Sequence, residues 1–258
     1  MYKINYIPLS DYGAVATTRP MTTEATALTG AFSLPKRKGD TELDWGTSVE
    51  PLVDEQDIAF EGRALTLHMR LDGSTTERLD ALKEACLSAW IVTAPYASFF
   101  VIQKDEITVK EYRAAGVSLL TVPFYEQSFR WVASDAAPSG GEGYLIDGYN
   151  LRDDFSIVVR MQGDRNAGAR IDVDTTLFYE GRQHRKPVDV SLHCSMLGSG
   201  MADIYPKMTA FHALCAKAGL RTLTLPDGRE LQGYVRDGFT AKAVCRRWVN
   251  FELKFRAL

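Results

Sequence analysis

The chain carries the same succession of sequence features twice. Phe60-Glu61-Gly62-Arg63 leads into the alternating segment 64–71, and Phe178-Tyr179-Glu180-Gly181-Arg182 leads, after a short basic insert, into Val188–Leu197. Both segments contain a Leu-His pair, and both are followed by a turn rich in Gly and Ser and then by a helical pattern. An internal repeat of this kind constrains the fold strongly, because each copy must build a similar set of elements.

Length and composition favour an ordinary globular protein. The 258 residues suffice for one large or two ordinary domains, and 45% hydrophobic with 24% charged residues predicts a packed core. A net charge of -3 provides no concentrated basic surface, so we expect no sequence-specific nucleic-acid binding. The first residues contain no apolar h-region, so we expect no signal peptide, and no apolar run approaches the ~20 residues that a membrane span needs.

The first half predicts several strands and one helix. Alternation of Leu65, Leu67, Met69 and Leu71 is typical of a half-buried strand. Ser74-Thr75-Thr76-Glu77 has the form of a capping box, and the helix that it opens is expected to reach about Ala89. The expected apolar stripe of this helix is Leu79, Leu82, Cys86 and Ala89. Residues 2–9 are interpreted as an extended arm, and further strands are expected at 11–17, 98–102, 107–112 and 117–124.

The segment 133–143, rich in Ala, Ser, Pro and Gly, is interpreted as a linker. It divides the chain into a first β-rich repeat, residues 1–132, and a second, residues 144–258. Residues 154–158 repeat the pattern of residues 11–15. Further strands are expected at 169–179, 188–197 and 248–255, a helix at about 203–218 with Pro206 in its first turn, and a hairpin around Pro226-Asp227-Gly228.

These patterns predict a mainly β fold with one flanking α-helix per repeat, like a β-sandwich or barrel. A sheet must bury its apolar face, and two packed sheets with a helix in each half satisfy that requirement.

Side chains capable of catalysis or metal binding are present without a convincing arrangement. His68 and His193 occupy matching places in the repeat, which indicates a shared structural position. His193, Cys194, His212 and Cys215 are of the types that bind zinc. Cys215, however, belongs to the helix stripe Ile204, Met208, Phe211 and Cys215, and adjacent strand residues point to opposite faces. We therefore expect no metal site.

The charged clusters are interpreted as solvated loops. The segment 42–57 collects acidic side chains at irregular spacing, without the order of a calcium-binding loop. Four basic side chains precede the second repeat strand: Arg182, His184, Arg185 and Lys186. The four cysteines, Cys86, Cys194, Cys215 and Cys245, form no CxxC pair, which predicts a reducing compartment. With no nucleophile, acid/base set or phosphate loop found, we expect neither catalytic residues nor a cofactor, and a protein that is not an enzyme.

The arrangement of parts resembles the tail-tube fold of long-tailed phages, which recurs in distal tail proteins and baseplate hubs. The resemblance rests on Asp11-Tyr12-Gly13-Ala14-Val15, on residues 147–155 and on the two blocks in which Glu-Gly-Arg is followed by a strand and a helix. It implies tandem tail-tube-like domains, a ring around a tail channel and neighbouring tail proteins as partners. It also implies residence in the virion tail after assembly in the bacterial host cytoplasm.

Two ring stoichiometries are open under this resemblance. Three copies of a duplicated chain would place six similar domains around the channel, and a hexamer of chains is the other arrangement. The segment 34–57 is expected to reach a neighbouring copy. Reversing the charges of Lys36, Arg37 and Lys38 is then expected to weaken assembly and leave the fold intact. The alternative is a carbohydrate- or small-ligand-binding β-sandwich, in which Trp45, Trp131 or Tyr149 stacks on a sugar.

Overall fold

The computed structural model describes residues 1–18, 24–45, 48–129, 135–164, 169–172, 182–185 and 187–258. These residues form a mainly β structure with three α-helices: α1 Thr76–Leu87, α2 Leu151–Phe155 and α3 Met201–Ala216. Short 3-10 helices occur at Leu9–Tyr12 and Arg113–Ala115. The mainly β fold class predicted from the sequence is confirmed.

The strands of the first half are β1 Lys3–Ile4, β2 Ile7–Pro8, β3 Ala14–Ala16, β4 Leu28–Thr29, β5 Glu42–Asp44, β6 Val49–Pro51, β7 Arg63–Asp72, β8 Ile91–Ala94, β9 Ala97–Phe100, β10 Ile102–Gln103, β11 Thr108–Tyr112 and β12 Val117–Glu126. One sheet has the order β2-β1-β8-β9. A second has the order β10-β12-β7-β3, in which β11 also pairs with β12 and β4 with β7. Strands β5 and β6 form a separate hairpin.

The strands of the second half are β13 Leu145–Ile146, β14 Tyr149–Asn150, β15 Ile157–Asp164, β16 Ala169–Asp172, β17 Arg182–Arg185, β18 Val188–Leu197, β19 Arg221–Thr224, β20 Glu230–Val235, β21 Ala241–Cys245 and β22 Trp248–Ala257. Their main sheet has the order β14-β13-β19-β20-β22-β18-β15, with β21 paired to β22. Strands β16 and β17 pair only with each other among the described residues.

The pairing scheme of the first half recurs in the second in the same chain order. Strand β1 pairs with β2 and β8, as β13 pairs with β14 and β19. Strand β8 pairs with β9, as β19 pairs with β20. Strand β7 pairs with β3 and β12, as β18 pairs with β15 and β22, and β11 pairs with β12 as β21 pairs with β22. Helices α1 and α3 follow β7 and β18, so positions can be matched between the halves.

The register makes this matching specific. Strands β7 and β18 each have ten residues, and their ninth residues, Leu71 and Met196, lie opposite Ala14 and Ile157. Ala14 therefore corresponds to Ile157, as the similarity of residues 11–15 and 154–158 predicts. By the same count His68 and His193 are both sixth in their strands.

The N-terminal residues form a hairpin rather than the extended arm interpreted from the sequence. Strands β1 and β2 turn at Asn5, whose φ is 50°, and β13 and β14 turn at Asp147, whose φ is 51°. Asn and Asp tolerate this left-handed conformation better than most residues. The backbone N–H of Asn5 donates to Ile91 O at 3.0 Å, and that of Asp147 donates to Thr222 O at 2.9 Å. Both hairpins are thus held on the neighbouring strand in the same way.

The halves differ in how their sheets continue and in how their helices are covered. In the first half, β9 and β10 are separate strands that belong to two different sheets. In the second half, the single strand β20 pairs with both β19 and β22, so the main strands form one sheet. Helix α1 buries Leu79, Leu82 and Cys86, as predicted, and is otherwise largely exposed. Helix α3 is buried on more than one side, through Ile204, Met208, Thr209, Phe211, His212, Ala213, Leu214, Cys215 and Ala216.

Several local boundaries differ from the sequence predictions. The N-cap of α1 is Thr75, whose Oγ1 accepts from the N–H of Arg78 at 3.4 Å, while Ser74 shares a 2.8 Å hydrogen bond with Ser118. Helix α3 begins at Met201, so Pro206 lies beyond its first turn. The sequence prediction therefore placed the N-cap of α1 one residue too early, and it placed the start of α3 too late.

The predicted linker contains no helix or strand in its described part, residues 135–143. One hydrophobic core cluster nevertheless includes side chains from both halves, such as Phe32 and Phe211. The domain limits at 132 and 144 stay a prediction.

Candidate assembly surfaces

The Phe60–Arg63 motif lies where the two halves meet, and its glycine is required by close packing. The N–H of Gly62 donates to Tyr125 Oη at 2.9 Å. A Cβ at Gly62 would lie 2.4 Å from Tyr125 Cζ and 2.6 Å from the carbonyl oxygen of Glu126, closer than atoms can approach. Of the second motif, residues 178–181 lie outside the described residues, and Arg182 begins β17.

Arg63 makes a buried ion pair with Glu126 across β7 and β12. Its Nε donates to Glu126 Oε2 at 2.9 Å, and Nη1 donates to Ala31 O at 2.6 Å. The guanidinium carbon lies 4.4 Å from the ring centroid of Phe129 and 5.3 Å from that of Phe99. Burial raises the pKa of Glu126, and the charge and hydrogen bonds of Arg63 oppose this rise. The arginine therefore serves as the counter-ion of an otherwise costly carboxylate.

An aromatic cluster joins Arg63 to helix α3 of the second half. Tyr205 packs against Phe32, Tyr96 and Phe99, with ring centroids between 5.5 and 5.8 Å apart. Burial raises the pKa of the Tyr205 hydroxyl, and the nearby Arg63 lowers it in part. We call the contact formed by these rings, Arg63, Phe129 and His212 the seam.

His212 lies inside the seam as a neutral side chain. Its Nε2 donates to Phe32 O at 3.1 Å, because a carbonyl oxygen can only accept. The ring centroid lies 5.4 Å from that of Phe129 and 5.3 Å from that of Phe239. Burial, with a smaller effect of the Arg63 charge, lowers the pKa of His212 to about 3. This histidine is a packing residue of the contact between the halves.

Residues 31–45 and 48–53 lie across the second half, and we call them the strap. Leu34 and Phe239 exchange backbone hydrogen bonds of 3.0 Å, and Val53 O accepts from the N–H of Gly219 at 2.7 Å. Arg37 is 5% exposed, its Nε donates to Val235 O at 3.2 Å, and its guanidinium lies 5.2 Å from the ring centroid of Tyr234. The strap therefore binds its own chain.

The prediction that residues 34–57 contact a neighbouring copy stays a prediction, but the middle residue of their basic start contacts its own chain. Lys36 and Lys38 are exposed, but Arg37 is buried between Phe60 and Tyr234. Its Nη1 and Nη2 have no hydrogen-bond partner among the described residues. Reversing all three charges would place a carboxylate in this buried site, so we expect the reversal to destabilise the fold as well.

The acidic segment is also more structured than the predicted solvated loop. It forms the β5–β6 hairpin, and Glu42 accepts from Arg256 Nε at 2.7 Å and from Tyr234 Oη at 2.8 Å. Desolvation raises the pKa of Glu42, but these hydrogen bonds and the charges of Arg256 and Arg236 outweigh it, so the pKa is lowered. Glu42 thus fastens the strap to β20 and β22.

Large apolar side chains are exposed together on the first half. Trp90 stacks on Phe100 with centroids 6.2 Å apart, and Tyr6 meets the edge of Trp90 at 5.5 Å. The exposed fractions are 49% for Trp90 and 66% for Phe100. Ile102 is 46% exposed, Leu87 55% and Tyr6 58%. We call these five side chains the aromatic patch, and exposed patches of this kind mark interaction sites.

The four residues considered for zinc are not grouped as a metal site among the described residues. Cys194 is buried and His193 half-buried on neighbouring positions of β18, and the Nε2 of His212 is engaged by Phe32 O. Burial raises the pKa of the Cys194 thiol to about 12 and that of Cys215 still further. In the part of the chain that the structure describes, no three His, Cys, Asp or Glu side chains are grouped as a metal site. The side chains of Arg182, His184, Arg185 and Lys186, and also Trp131, lie outside that part.

None of the helices in the described ranges has the length and apolar character of a membrane span.

Comparison with known proteins yields one structural likeness to report. No family model matches the chain, and no curated protein matches it. Among solved structures, the chain is similar to the Dit protein of phage SPP1, described as a paradigm of the hub adsorption apparatus in phages that infect Gram-positive bacteria. The match covers 99% of this chain and 97% of that one, at 11% identity and a TM-score of 0.30. A TM-score this low does not assign that protein's fold to the chain.

Proposed function

We propose that the chain is a structural component of the tail of a phage or prophage-derived particle. In this proposal its two halves are tandem tail-tube-like domains, and copies form a trimeric or hexameric ring around the tail channel. The ring would lie at the distal tail, in the baseplate or in the tube, with neighbouring tail proteins as partners. The protein would assemble in the bacterial host cytoplasm and reside in the virion.

The observation that carries the proposal is the repeated pairing scheme together with the contact between the halves. The strap of the first half lies on β20 and α3 of the second, so two similar bodies meet through different surfaces. A contact of this heterologous type closes into a ring when its rotation permits and otherwise continues as a filament. The resemblance of residues 11–15 and 147–155 to tail-tube proteins agrees with the closed form.

We also propose that the chain has no catalytic residue, metal or cofactor. Two buried ionisable groups of the seam have structural partners: Glu126 has Arg63, and the Nε2 of His212 has Phe32 O. One groove of about 730 Å³ lies beside α2 and β15, and its charged residues Glu142, Arg152 and Asp153 are exposed. An active site would be expected to hold convergent polar groups in such a concavity.

Negative-stain images of the purified chain test the ring directly. Annular particles with a central hole would support the proposal, and a count of their densities would separate a trimer of two-domain chains from a hexamer. Uniform compact particles at every concentration would contradict the ring.

A second candidate function is binding of a carbohydrate. It is favoured by exposed aromatic rings, which include Trp45 at 63% exposure and the aromatic patch. Sugars stack on such rings, although the same rings also serve as anchors in protein interfaces. Binding of the isolated protein to a defined glycan on an array would favour this candidate, and loss of that binding in a Trp45→Ala variant would locate the site.

A further inference from the structure

A groove of about 690 Å³ opens where the two halves meet, beside the seam. Its wall in the first half includes the segments 16–18 and 25–27, and its wall in the second half includes the start of α3 and the turn between β21 and β22. Tyr96 belongs both to the groove and to the seam, where its ring centroid lies 5.5 Å from that of Tyr205. A molecule bound in the groove would therefore contact both halves.

Hydrogen bonds hold both walls of the groove in place. The N–H of Ala25 donates to Ala243 O at 2.7 Å, and the N–H of Gly198 donates to Arg247 O at 2.9 Å. Thr26 is 8% exposed, and its Oγ1 donates to Leu28 O at 3.1 Å. The groove is thus formed by segments that are bonded to the strands of both halves.

The charges that line the groove are positive. They belong to Arg246 and Arg247, which are both exposed to solvent. Among the described lining residues there is no Asp or Glu. Burial raises the pKa of Tyr2 and of Tyr96, so neither hydroxyl adds a negative charge near neutral pH. The groove therefore favours an anionic ligand, and a planar guanidinium matches a carboxylate in its geometry.

The other polar side chains among the described lining residues carry hydroxyl groups. Thr17, Thr18 and Ser199 line the groove together with the two tyrosines. A hydroxyl group both donates and accepts hydrogen bonds, as the hydroxyl groups of a sugar do. Aromatic rings with a few convergent polar groups are typical of small-molecule sites. His and Cys are also absent from the described lining residues, so the arrangement suits binding rather than catalysis.

We propose that this groove binds an acidic sugar, a hydroxylated ring that carries a carboxylate. Arg246 and Arg247 bind the carboxylate, and the Thr and Ser hydroxyls bind the hydroxyl groups of the ring. The site is separate from Trp45 and from the aromatic patch. It does not depend on the proposed ring of copies, because the groove lies within one chain.

Isothermal titration calorimetry of the full chain with glucuronic acid, glucose and acetate tests the ligand class. Glucuronic acid supplies the ring and the carboxylate, glucose the ring alone, and acetate the carboxylate alone. We expect the dissociation constant of glucuronic acid to lie at least about tenfold below the other two, because only this probe engages both sets of groups. Equal binding of glucose or of acetate would overturn the assignment, and so would no binding of glucuronic acid.

Three variants locate the site. The double variant Arg246→Gln and Arg247→Gln removes both guanidiniums, and Ala202→Trp places a bulky side chain at an exposed position of the groove without changing its charge. We expect each to weaken the binding of glucuronic acid at least about tenfold. The matched control is Arg70→Gln with Arg113→Gln, which removes two exposed arginines outside the groove and should bind like the unchanged chain.

The melting temperature gives a second readout, because a ligand that binds only the folded state stabilises it. Glucuronic acid should raise the melting temperature of the unchanged chain and of the control, but not that of the Arg246 and Arg247 double variant. An equal rise in all three proteins would overturn the assignment to the groove. Loss of binding in Trp45→Ala, with binding kept in the double variant, would place the sugar at Trp45 and overturn it as well.

Discussion

Arg63 and His212 place two ionisable side chains in the seam, where their charge states affect stability directly. Arg63 is charged and paired with Glu126, whereas His212 is neutral with a pKa of about 3. The buried ion pair of Arg63 gives a prediction about substitution, and the buried neutral His212 gives one about pH.

Acidification should destabilise the protein through His212. The ordinary pKa of 6.5 applies to the unfolded chain and about 3 to the folded one, so between these values the unfolded state binds more protons. The stability is fully present above pH 6.5 and is lost as pH falls toward 3, at about 1.4 kcal/mol per pH unit from this group. Urea unfolding measured at several pH values in this window checks the slope.

The variant His212→Phe isolates that contribution. Phenylalanine keeps the contacts with Phe129 and Phe239 but cannot be protonated, and it leaves Phe32 O without its donor, at a cost of about 1–3 kcal/mol near neutral pH. We expect its free energy of unfolding to fall less steeply on acidification than that of the unchanged chain. The difference in slope should be about 1.4 kcal/mol per pH unit, which corresponds to one proton. Equal slopes for the two proteins would refute the assignment.

Removal of Arg63 should be among the most damaging single changes. Arg63→Met leaves the carboxylate of Glu126 buried without a counter-ion, which costs about 3–5 kcal/mol. Adding Glu126→Gln should restore part of that loss. Arg70→Met is the control on the same strand, because the Arg70–Asp72 pair is about half exposed and should contribute within about 1 kcal/mol. Denaturant unfolding of the unchanged chain and of these three variants measures the free energies. A loss of stability in Arg63→Met no larger than that in Arg70→Met would argue against the buried pair.

Single residues were predictable from the sequence where periodicity determines burial. The stripe Leu79, Leu82 and Cys86 followed from helical spacing. The burial of Arg37 could not be predicted, because its partners Val235 and Tyr234 are distant in the sequence. The sequence alone indicates that a run of three basic residues is solvated, because the surface that buries its middle member belongs to a distant part of the chain.

The strap is the element that most directly joins the halves. We expect Arg37→Glu to lower the free energy of unfolding by several kcal/mol, because it buries a carboxylate beside Tyr234 and removes the donor to Val235 O. The double variant Lys36→Glu and Lys38→Glu is the matched control, since both side chains are exposed, and it should change stability by less than about 1 kcal/mol. Thermal unfolding measures the melting temperatures of both variants. Similar melting temperatures would show that Arg37 does not bind the strap to the second half.

Elements were predicted best where a long alternating pattern stands alone. Strand β18 was predicted with its observed limits, and the hairpin β19–β20 followed from Pro-Asp-Gly. The N-terminal hairpin was missed because its strands have two residues each, too few for a period. Its signal was Tyr-x-Ile followed by Asn5 or Asp147, which is visible only when residues 2–9 are compared with 144–151.

At the scale of the whole molecule, the two halves share a pairing scheme and differ in coverage. The strap of the first half covers Tyr234 in the second half, and the aromatic patch of the first half is exposed. The sequence could predict that parts recur. It could not predict which surface is covered, because that depends on contacts between residues far apart in the chain.

The mass of the assembled particle tests the proposed ring most directly. Light scattering after size exclusion, repeated over a wide range of loading concentrations, measures the number of 28.7 kDa chains per particle. The account predicts a closed species of three or six chains whose mass does not grow further with concentration. A monomer at every concentration would contradict it, and so would a mass that rises without limit, since a filament does not close.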